Sequence, residues 1–114
     1  MRAVNTSRNG IIADKVQRAG SLWARSRGLL GQKGLEPGEG LLLDPCSGIH
    51  TWGMAFPIDA VFLSREGTVV HLIHQMVPWR MSRYLFKARS VLELPAGTLQ
   101  ETGIQLGDRL IFEA

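Results

Sequence analysis

The chain has one cysteine, no long apolar run and no internal repeat, and each of these absences narrows the class of protein. With Cys46 as the only cysteine, an internal disulfide cannot form, which favours a reducing compartment. No stretch approaches the roughly 18 apolar residues that a membrane-spanning helix needs. The N-terminal residues include an arginine but no apolar segment, so they do not resemble a signal peptide. We therefore expect a cytoplasmic protein with no membrane partner.

Acidic residues are scarce in two parts of the chain. Residues 1–33 contain seven basic residues but only one acidic residue, Asp14. In residues 67–92 every charged side chain is a cation, and these are Arg80, Arg83, Lys87 and Arg89. Together with a net charge of +3, this distribution predicts a basic region on the surface, which bears on partners and solubility rather than on the fold.

What the sequence does contain is the composition of an ordinary globular protein, with 45% apolar and 20% charged residues. A length of 114 residues is enough to bury one hydrophobic core but not two. We therefore expect residues 1–114 to form a single globular domain.

Short apolar runs interrupted by glycine, proline and asparagine predict a fold built of strands. Asn9-Gly10 lies between two extended segments, 2–7 and 11–18, and predicts a tight hairpin because both residues tolerate positive φ. The segments 58–64 and 68–77 flank a short glycine-containing turn and should pair as a second, antiparallel hairpin. After the first hairpin, the predicted strands are 40–43, 49–54, 58–64, 68–77, 89–94 and 109–112.

Two short helices complete the predicted fold. One begins at Ser21 and ends near Leu30, and the other begins at Thr98, where Thr98 and Glu101 have the spacing of a capping box. The connections between strands are too short for repeated helical crossovers, so we do not expect a parallel sheet. The prediction is a mainly β protein, a compact antiparallel β barrel or sandwich decorated by two short helices.

Asp59 is the polar residue that most needs an explanation. It shares a strand face with Val61 and Leu63, where an unpaired charge would be very costly. One interpretation is structural, with the carboxylate capping the preceding turn or accepting hydrogen bonds from backbone amides. The other interpretation is functional, with the carboxylate facing a binding pocket.

His50, Trp52 and Met54 form a second candidate group, because strand alternation would place them on one face. The spacing of Cys46 and His50 matches no zinc signature, and no cofactor-binding motif is present, so we expect neither a metal nor a cofactor. A nucleophilic Cys46 with His50 as its base remains open as an alternative. This alternative would be a hydrolase-like enzyme, using Cys46 or Asp59 together with His50.

Residues 79–89 form the third candidate, since this run interleaves cations with Trp79, Tyr84 and Phe86. Such a composition can contact phosphates and stack on bases. The run has no signature of an RNA-binding module, and charged runs are commonly solvated loops. Nucleic acid is therefore kept as a third hypothesis and is not the expected partner.

Three motifs in the same order resemble the domain of unknown function 192 family. They are Ser26-Arg27-Gly28-Leu29-Leu30, the run from Ile49 to Asp59, and Val91-Leu92-Glu93-Leu94-Pro95-Ala96-Gly97-Thr98 followed by Gly103 and Gly107-Asp108. The resemblance extends from about Val16 to Phe112 and implies a compact β-rich domain with no established activity. Many relatives have Phe-Trp-Met-Lys-Asn-Thr where this chain has His50 to Phe56, so a site built on that Lys-Asn pair is not expected here.

The leading hypothesis is a non-catalytic domain that binds a small ligand or a peptide near the His50–Asp59 strand. Trp52 would supply contact area, Asp59 a charged acceptor and His50 a switchable donor. The full set of expected contact residues is His50, Trp52, Met54 and Asp59, with Arg80 or Arg89 as anion contacts.

Overall fold

The computed structural model describes residues 1–19, 35–52 and 54–114, and these residues form two β-sheets and one short helix. The strands are β1 (Arg2–Asn5), β2 (Gly10–Ala13), β3 (Lys15–Ala19), β4 (Glu39–Leu43), β5 (Ile58–Leu63), β6 (Val69–Met76), β7 (Ser90–Pro95) and β8 (Leu110–Glu113), and the helix is α1 (Thr98–Thr102). The small sheet has the strand order β2-β1-β8, and the large sheet has the order β3-β4-β7-β5-β6. The mainly β prediction is confirmed, as a sandwich-like pair of sheets and not as a closed barrel. The predicted helix from Ser21 to Leu30 lies outside the described residues.

The N-terminal hairpin is confirmed, with β1 and β2 antiparallel across a turn in which Asn9 has a φ of 54°. Its predicted second arm is divided at Asp14, where the chain passes from the small sheet to the large one. The backbone amides of Asp14 and Lys15 both donate to the Gly38 carbonyl, at 3.0 and 2.9 Å, which fixes this passage.

No wholly parallel sheet is present among the described residues, but one strand pair departs from the antiparallel arrangement, because β3 and β4 are parallel, with Lys15 opposite Glu39 and Ala19 opposite Leu43. Residues 20–38 connect these two strands, which is enough chain for a parallel crossover. The other strand pairs of the described residues are antiparallel, including the predicted hairpin of β5 and β6.

Both faces of the large sheet are covered, which is why β5 is buried along its whole length. The inner face packs on the small sheet, and this inner cluster includes Val61, Leu92 and Leu94 together with Ala3 and Leu110. The outer face carries a second cluster, in which strand residues such as Phe62 and Val91 meet loop residues such as Cys46, Ile49 and Met54. A polar side chain on β5 or β7 therefore points into an apolar layer whichever face it occupies.

The predicted strand from Ile49 to Met54 is wrong. Its single ladder contact is an isolated bridge between His50 and Met81. The backbone of Thr51 pairs instead with the loop that follows β6, since its amide donates to the Arg80 carbonyl at 2.9 Å and its carbonyl accepts from the Trp79 amide at 3.0 Å. A strand-like pattern of alternating burial thus arises from two loops paired with each other.

Candidate functional site

Asp59 is completely buried, and three backbone amides converge on its carboxylate. One oxygen, Oδ1, accepts from the Gln75 amide at 2.8 Å, and Oδ2 accepts from the amides of Gly97 and Leu99 at 3.0 and 2.9 Å. Hydrogen bonds to an ionised group are among the stronger ones in proteins, at about 1.5–3 kcal/mol each. The Asp59 carboxylate therefore accepts hydrogen bonds from backbone amides, as the structural interpretation expected. The side chain is completely buried and offers no surface to an external ligand.

The same contacts replace the predicted capping box of α1, which does not form. The N-cap residue is Gly97, and the Thr98 hydroxyl donates to the Pro95 carbonyl at 2.7 Å instead of accepting from the Glu101 amide. The Glu101 amide donates to the Gly97 carbonyl at 3.0 Å, as in any first helical turn. The cap thus comes from Asp59 on β5, a residue distant in sequence. The helix ends at Gly103, which has a φ of 68°.

His50, Trp52 and Met54 do not share one face. His50 and Trp52 are exposed, with ring centroids 5.0 Å apart and planes tilted by 34°, and the Trp52 amide donates to Nδ1 of His50 at 3.3 Å. Met54 is buried in the outer cluster, because the chain turns after Thr51, whose carbonyl accepts from the Met54 amide at 3.2 Å.

Cys46 and His50 are not brought together as a nucleophile and its base. Cys46 is buried in the outer cluster and its thiol donates to the Gly48 carbonyl at 3.1 Å. His50 is exposed and its Nδ1 accepts from the Trp52 amide. Among the described residues, no three His, Cys, Asp or Glu side chains are grouped as a metal ion would require. The geometry therefore gives no support to the Cys46–His50 hydrolase.

The residues after β6 carry the most exposed large side chains on the described surface. Trp79 is 67% exposed, Tyr84 82% and Phe86 97%, and Met81 beside them is 64% exposed. Trp79 also has a φ of 65°, a left-handed conformation that is rare for a bulky side chain and costs on the order of 1–3 kcal/mol. A strained backbone that holds an indole in solvent is a feature typical of functional sites.

Two loops form this surface, and we call residues 47–52 and 77–88 together the loop pair. Hydrogen bonds connect its two segments along their length. The Arg80 amide donates to Oγ1 of Thr51 at 2.9 Å, and that hydroxyl donates to the Val77 carbonyl at 2.7 Å. The Ser82 amide donates to the Ile49 carbonyl at 2.8 Å, and the Leu85 amide donates to the Ser47 carbonyl at 2.9 Å. The exposed aromatic residues therefore project from a backbone that is held at several points.

The predicted anion contacts, Arg80 and Arg89, have different surroundings. Arg89 donates from Nε to Oδ1 of Asp44 at 3.0 Å, and Arg18 lies 3.7 Å from the other carboxylate oxygen of Asp44. Arg80 is exposed and, like Arg83 and Lys87, makes no ion pair with any residue in the described ranges. Among the described residues, the cations of the loop pair therefore have no acidic partner, whereas Arg89 shares the Asp44 carboxylate with Arg18.

Glu93 is a candidate that the sequence analysis did not identify. It lies on the central strand of the large sheet, opposite Leu41 on β4 and Ala60 on β5, and is 5% exposed. Burial raises the pKa of its carboxyl group from 4.5 to about 7. An acidic residue in a run of apolar ones on a strand was the available signal, but only the strand order shows that both neighbours of β7 are themselves buried strands.

Comparison with known proteins agrees with the fold and supplies no activity. The sequence model of the domain of unknown function 192 family (DUF192, "Uncharacterized ACR") matches residues 3–112. No protein of curated function matches the chain. Within the described residues, no helix is long and apolar enough to cross a bilayer.

Two solved structures are similar over nearly the whole chain. One is a Sinorhizobium meliloti 1021 protein described as "a putative transcription regulator", with a TM-score of 0.79, 28% identity, and coverage of 96% of this chain and 89% of that one. The other is a Novosphingobium aromaticivorans protein of unknown function, with a TM-score of 0.83, 20% identity, and coverage of 97% of this chain and 82% of that one. With its profile matched almost from end to end and its fold shared with these structures, the chain belongs to the domain of unknown function 192 family.

Proposed function

We propose that this protein is a non-catalytic binding domain that recognises an acidic peptide segment of another protein through the loop pair. The observation that carries the proposal is a cluster of exposed aromatic side chains beside cations that have no acidic partner among the described residues. The binding function expected from the sequence is kept, but its location moves from the buried Asp59 to the exposed side of His50 and Trp52.

Exposed aromatic residues support recognition of a partner because they lose contact with water only when something covers them. Trp52, Trp79, Tyr84 and Phe86 are all more than half or close to half exposed, at 48%, 67%, 82% and 97%. Large exposed apolar patches mark interaction sites, and tryptophan and tyrosine dominate the binding energy of measured interfaces. A partner would therefore gain most of its affinity from these side chains.

The hydrogen-bonded scaffold supports the same proposal by lowering the entropy that binding must remove. Thr51 bonds to Val77, Trp79 and Arg80, so the opposed loop backbones are ordered before any partner arrives. Binding surfaces that are ordered in advance lose less conformational entropy on association. The left-handed φ of Trp79 belongs to this ordered arrangement.

The charges define the chemistry of the partner. Arg80, Arg83 and Lys87 lie in a region without acidic residues, so a partner carrying carboxylates would approach faster and bind in a preferred orientation. An acidic segment with apolar anchors matches both the cations and the aromatic residues. The hydrogen bond from the Trp52 amide to His50 leaves Nε2 of His50 available to a carboxylate.

Single-stranded nucleic acid is the second candidate, favoured by the alternation of cations and aromatic residues in 79–89 and by the regulator description of the Sinorhizobium meliloti protein. The two partners differ in their response to salt. Nucleic-acid affinity falls steeply with salt because each neutralised phosphate releases a counterion, whereas a peptide held by aromatic anchors depends on salt more weakly.

The test is fluorescence anisotropy with labelled acidic peptides, with and without leucine and phenylalanine anchors, and with labelled oligothymidylate in parallel. We expect the anchored acidic peptides to bind and Trp79→Ala to weaken them by about tenfold or more. Leu106→Ala is the matched control, since Leu106 is 64% exposed and Trp79 is 67% exposed, but Leu106 lies in the turn after α1. The proposal is wrong if no acidic peptide binds, or if Trp79→Ala binds as well as the unchanged protein. Stronger and steeply salt-dependent binding of oligothymidylate would establish the second candidate instead.

A further inference from the structure

A second potential site lies on the outer face of the large sheet, in the apolar cluster to which Ile49 of the loop pair also belongs. Glu93 occupies the middle of the central strand, with Leu41 and Ala60 as its cross-strand neighbours. Both neighbours belong to the outer cluster, as does Val91, two residues before Glu93 on the same face. The carboxyl group is therefore surrounded by apolar side chains.

No hydrogen bond or ion pair within the described part of the chain reaches the Glu93 carboxylate, which is unusual for a buried acidic residue. A buried carboxyl group without a partner is unfavourable, and desolvation raises its pKa to about 7. Asp59 on the neighbouring strand is also buried and accepts from three amides. The described residues thus supply donors to Asp59 and none to Glu93.

Glu93 is also not completely sealed from solvent. Every completely sealed side-chain nitrogen or oxygen atom of the described residues has a hydrogen-bond partner. Glu93 is 5% exposed, so a small part of the residue keeps contact with solvent.

Among the residues that the structure describes, the other titratable groups on this face do not compensate the charge. By strand alternation they are Lys15, Glu39 and His71, and Cys46 lies in the outer cluster. Glu39 accepts from the Glu36 amide at 2.7 Å, Lys15 is exposed, and His71 packs edge-on against Phe62 at 5.3 Å. A metal ion is not favoured, because Glu93 belongs to no cluster of potential ligands in the described ranges.

We propose that Glu93 is the recognition group of a binding site for a small organic cation, a primary ammonium or a guanidinium on a short alkyl stem. The nitrogen would donate hydrogen bonds to the carboxylate and neutralise it, and the stem would pack against Leu41, Ala60 and Val91. Small-molecule sites are typically mostly apolar with a few placed polar groups, which is the arrangement around Glu93.

The experiment follows the side-chain carboxyl carbon of Glu93 by NMR as pH is varied, with and without n-butylammonium or n-butylguanidinium. We expect titration near neutral pH, an apparent pKa that falls when either cation is added, and no effect of n-butanol. If only the ionised form binds, affinity at pH 8 should be about tenfold that at pH 6, because the ionised fraction rises from about one tenth to nine tenths. Tetramethylammonium, which has no N–H donor, should bind more weakly than n-butylammonium.

Glu93→Gln supplies the control, since it keeps the shape and removes the charge, and thermal shift then reports binding in place of the carboxyl signal. The proposal is overturned if neither cation moves the Glu93 titration, if Glu93 titrates near 4.5 because another residue pairs with it, or if Glu93→Gln is stabilised by the cations as much as the unchanged protein. Trp79→Ala should bind the cations normally, so a failure here is distinguishable from a failure of the loop-pair proposal.

Discussion

Two buried carboxylates on neighbouring strands have opposite environments. Asp59 on β5 lies opposite Leu94, and Glu93 on β7 lies opposite Ala60, so the two groups are adjacent in the sheet but point to opposite faces. On the inner face, Gln75 of β6 and the start of α1 bring three amides to Asp59. On the outer face, no described residue donates to Glu93, and burial raises its pKa to about 7. Burial of a carboxylate thus identifies a structural group where donors converge, and a candidate binding group where they do not.

The largest effect is expected from removing the satisfied carboxylate. Asp59→Ala leaves three amides without their acceptor in an apolar layer, and we expect it to lower the free energy of unfolding by about 3–5 kcal/mol. Urea denaturation at neutral pH measures the loss. Glu66→Ala, which removes an exposed carboxylate, should change stability by no more than about 0.5 kcal/mol. A loss below about 1 kcal/mol for Asp59→Ala would contradict the structural role.

Glu93→Gln should raise the free energy of unfolding at alkaline pH, whereas Asp59→Ala lowers it. The folded pKa of about 7 exceeds the ordinary 4.5, so between these values the folded state binds more protons than the unfolded state. The stabilising contribution of protonated Glu93 is therefore complete below about pH 4.5, falls by about 3 kcal/mol as pH rises to 7, and stays lost above it.

The glutamine variant has no charge to bury, so it should be the more stable protein at pH 8 and equal to the unchanged protein at low pH. Denaturation curves across pH 4 to 9 measure this difference. Glu66→Gln should keep the fall with pH of the unchanged protein. Parallel pH profiles for Glu93→Gln and the unchanged protein would show that Glu93 is paired in solution.

Sequence patterns predict those features of the fold that depend on residues adjacent in the chain. The predicted bounds of β4, β5, β6, β7 and β8 lie within one residue of the observed bounds, because apolar runs and turn residues specify these strands locally. The predicted strand over 49–54 matches none of them. The predictions that were wrong depend on distant parts of the chain. The cap of α1 comes from Asp59, the backbone partner of Thr51 is the loop after β6, and the parallel neighbour of β3 follows a long connection.

The two carboxylates illustrate the same limit at the level of sites. Asp59 and Glu93 each interrupt an apolar strand, and their sequence contexts do not distinguish them. The distinction arises from where α1 begins, since its first amides point to the inner face where Asp59 lies. Which of the two faces receives donors is a property of the assembled sheet and not of either strand.

Asp108 is a third buried carboxylate, and its hydrogen-bond donors include both amides and a cation. Its Oδ2 accepts from Nε of Arg8, the side-chain amide of Asn5 and the Gln105 amide, at 2.7, 2.9 and 3.0 Å. Burial raises the pKa of Asp108, but the hydrogen bonds from Arg8, Asn5 and Gln105 and the charge of Arg8 lower it more, so the pKa lies below its ordinary value.

A lowered folded pKa stabilises the protein above the ordinary value, and this stability is lost as pH falls through the folded pKa. We expect Asp108→Asn to lower the free energy of unfolding by about 1–3 kcal/mol at neutral pH and to make the acid limb of the stability profile shallower. Acid denaturation followed by circular dichroism measures both changes. Arg8→Ala should give a smaller loss, because two of the three donors remain. An acid limb unchanged in Asp108→Asn would show that this carboxylate is not responsible for the pH dependence.

The smallest effect is expected at Glu101, and it separates the observed cap from the one that the sequence predicted. If Asp59 caps α1 from the neighbouring strand, Glu101→Ala removes only an exposed side chain and should cost no more than about 0.5 kcal/mol. A capping box would give a loss of about 1 kcal/mol, coupled to Thr98→Ala in a double-mutant cycle. Urea denaturation of both single variants and the double variant measures this coupling. Additive losses agree with a helix whose first amides depend on Asp59. Of the two buried carboxylates compared above, Glu93 is then the one for which the described residues provide no donor.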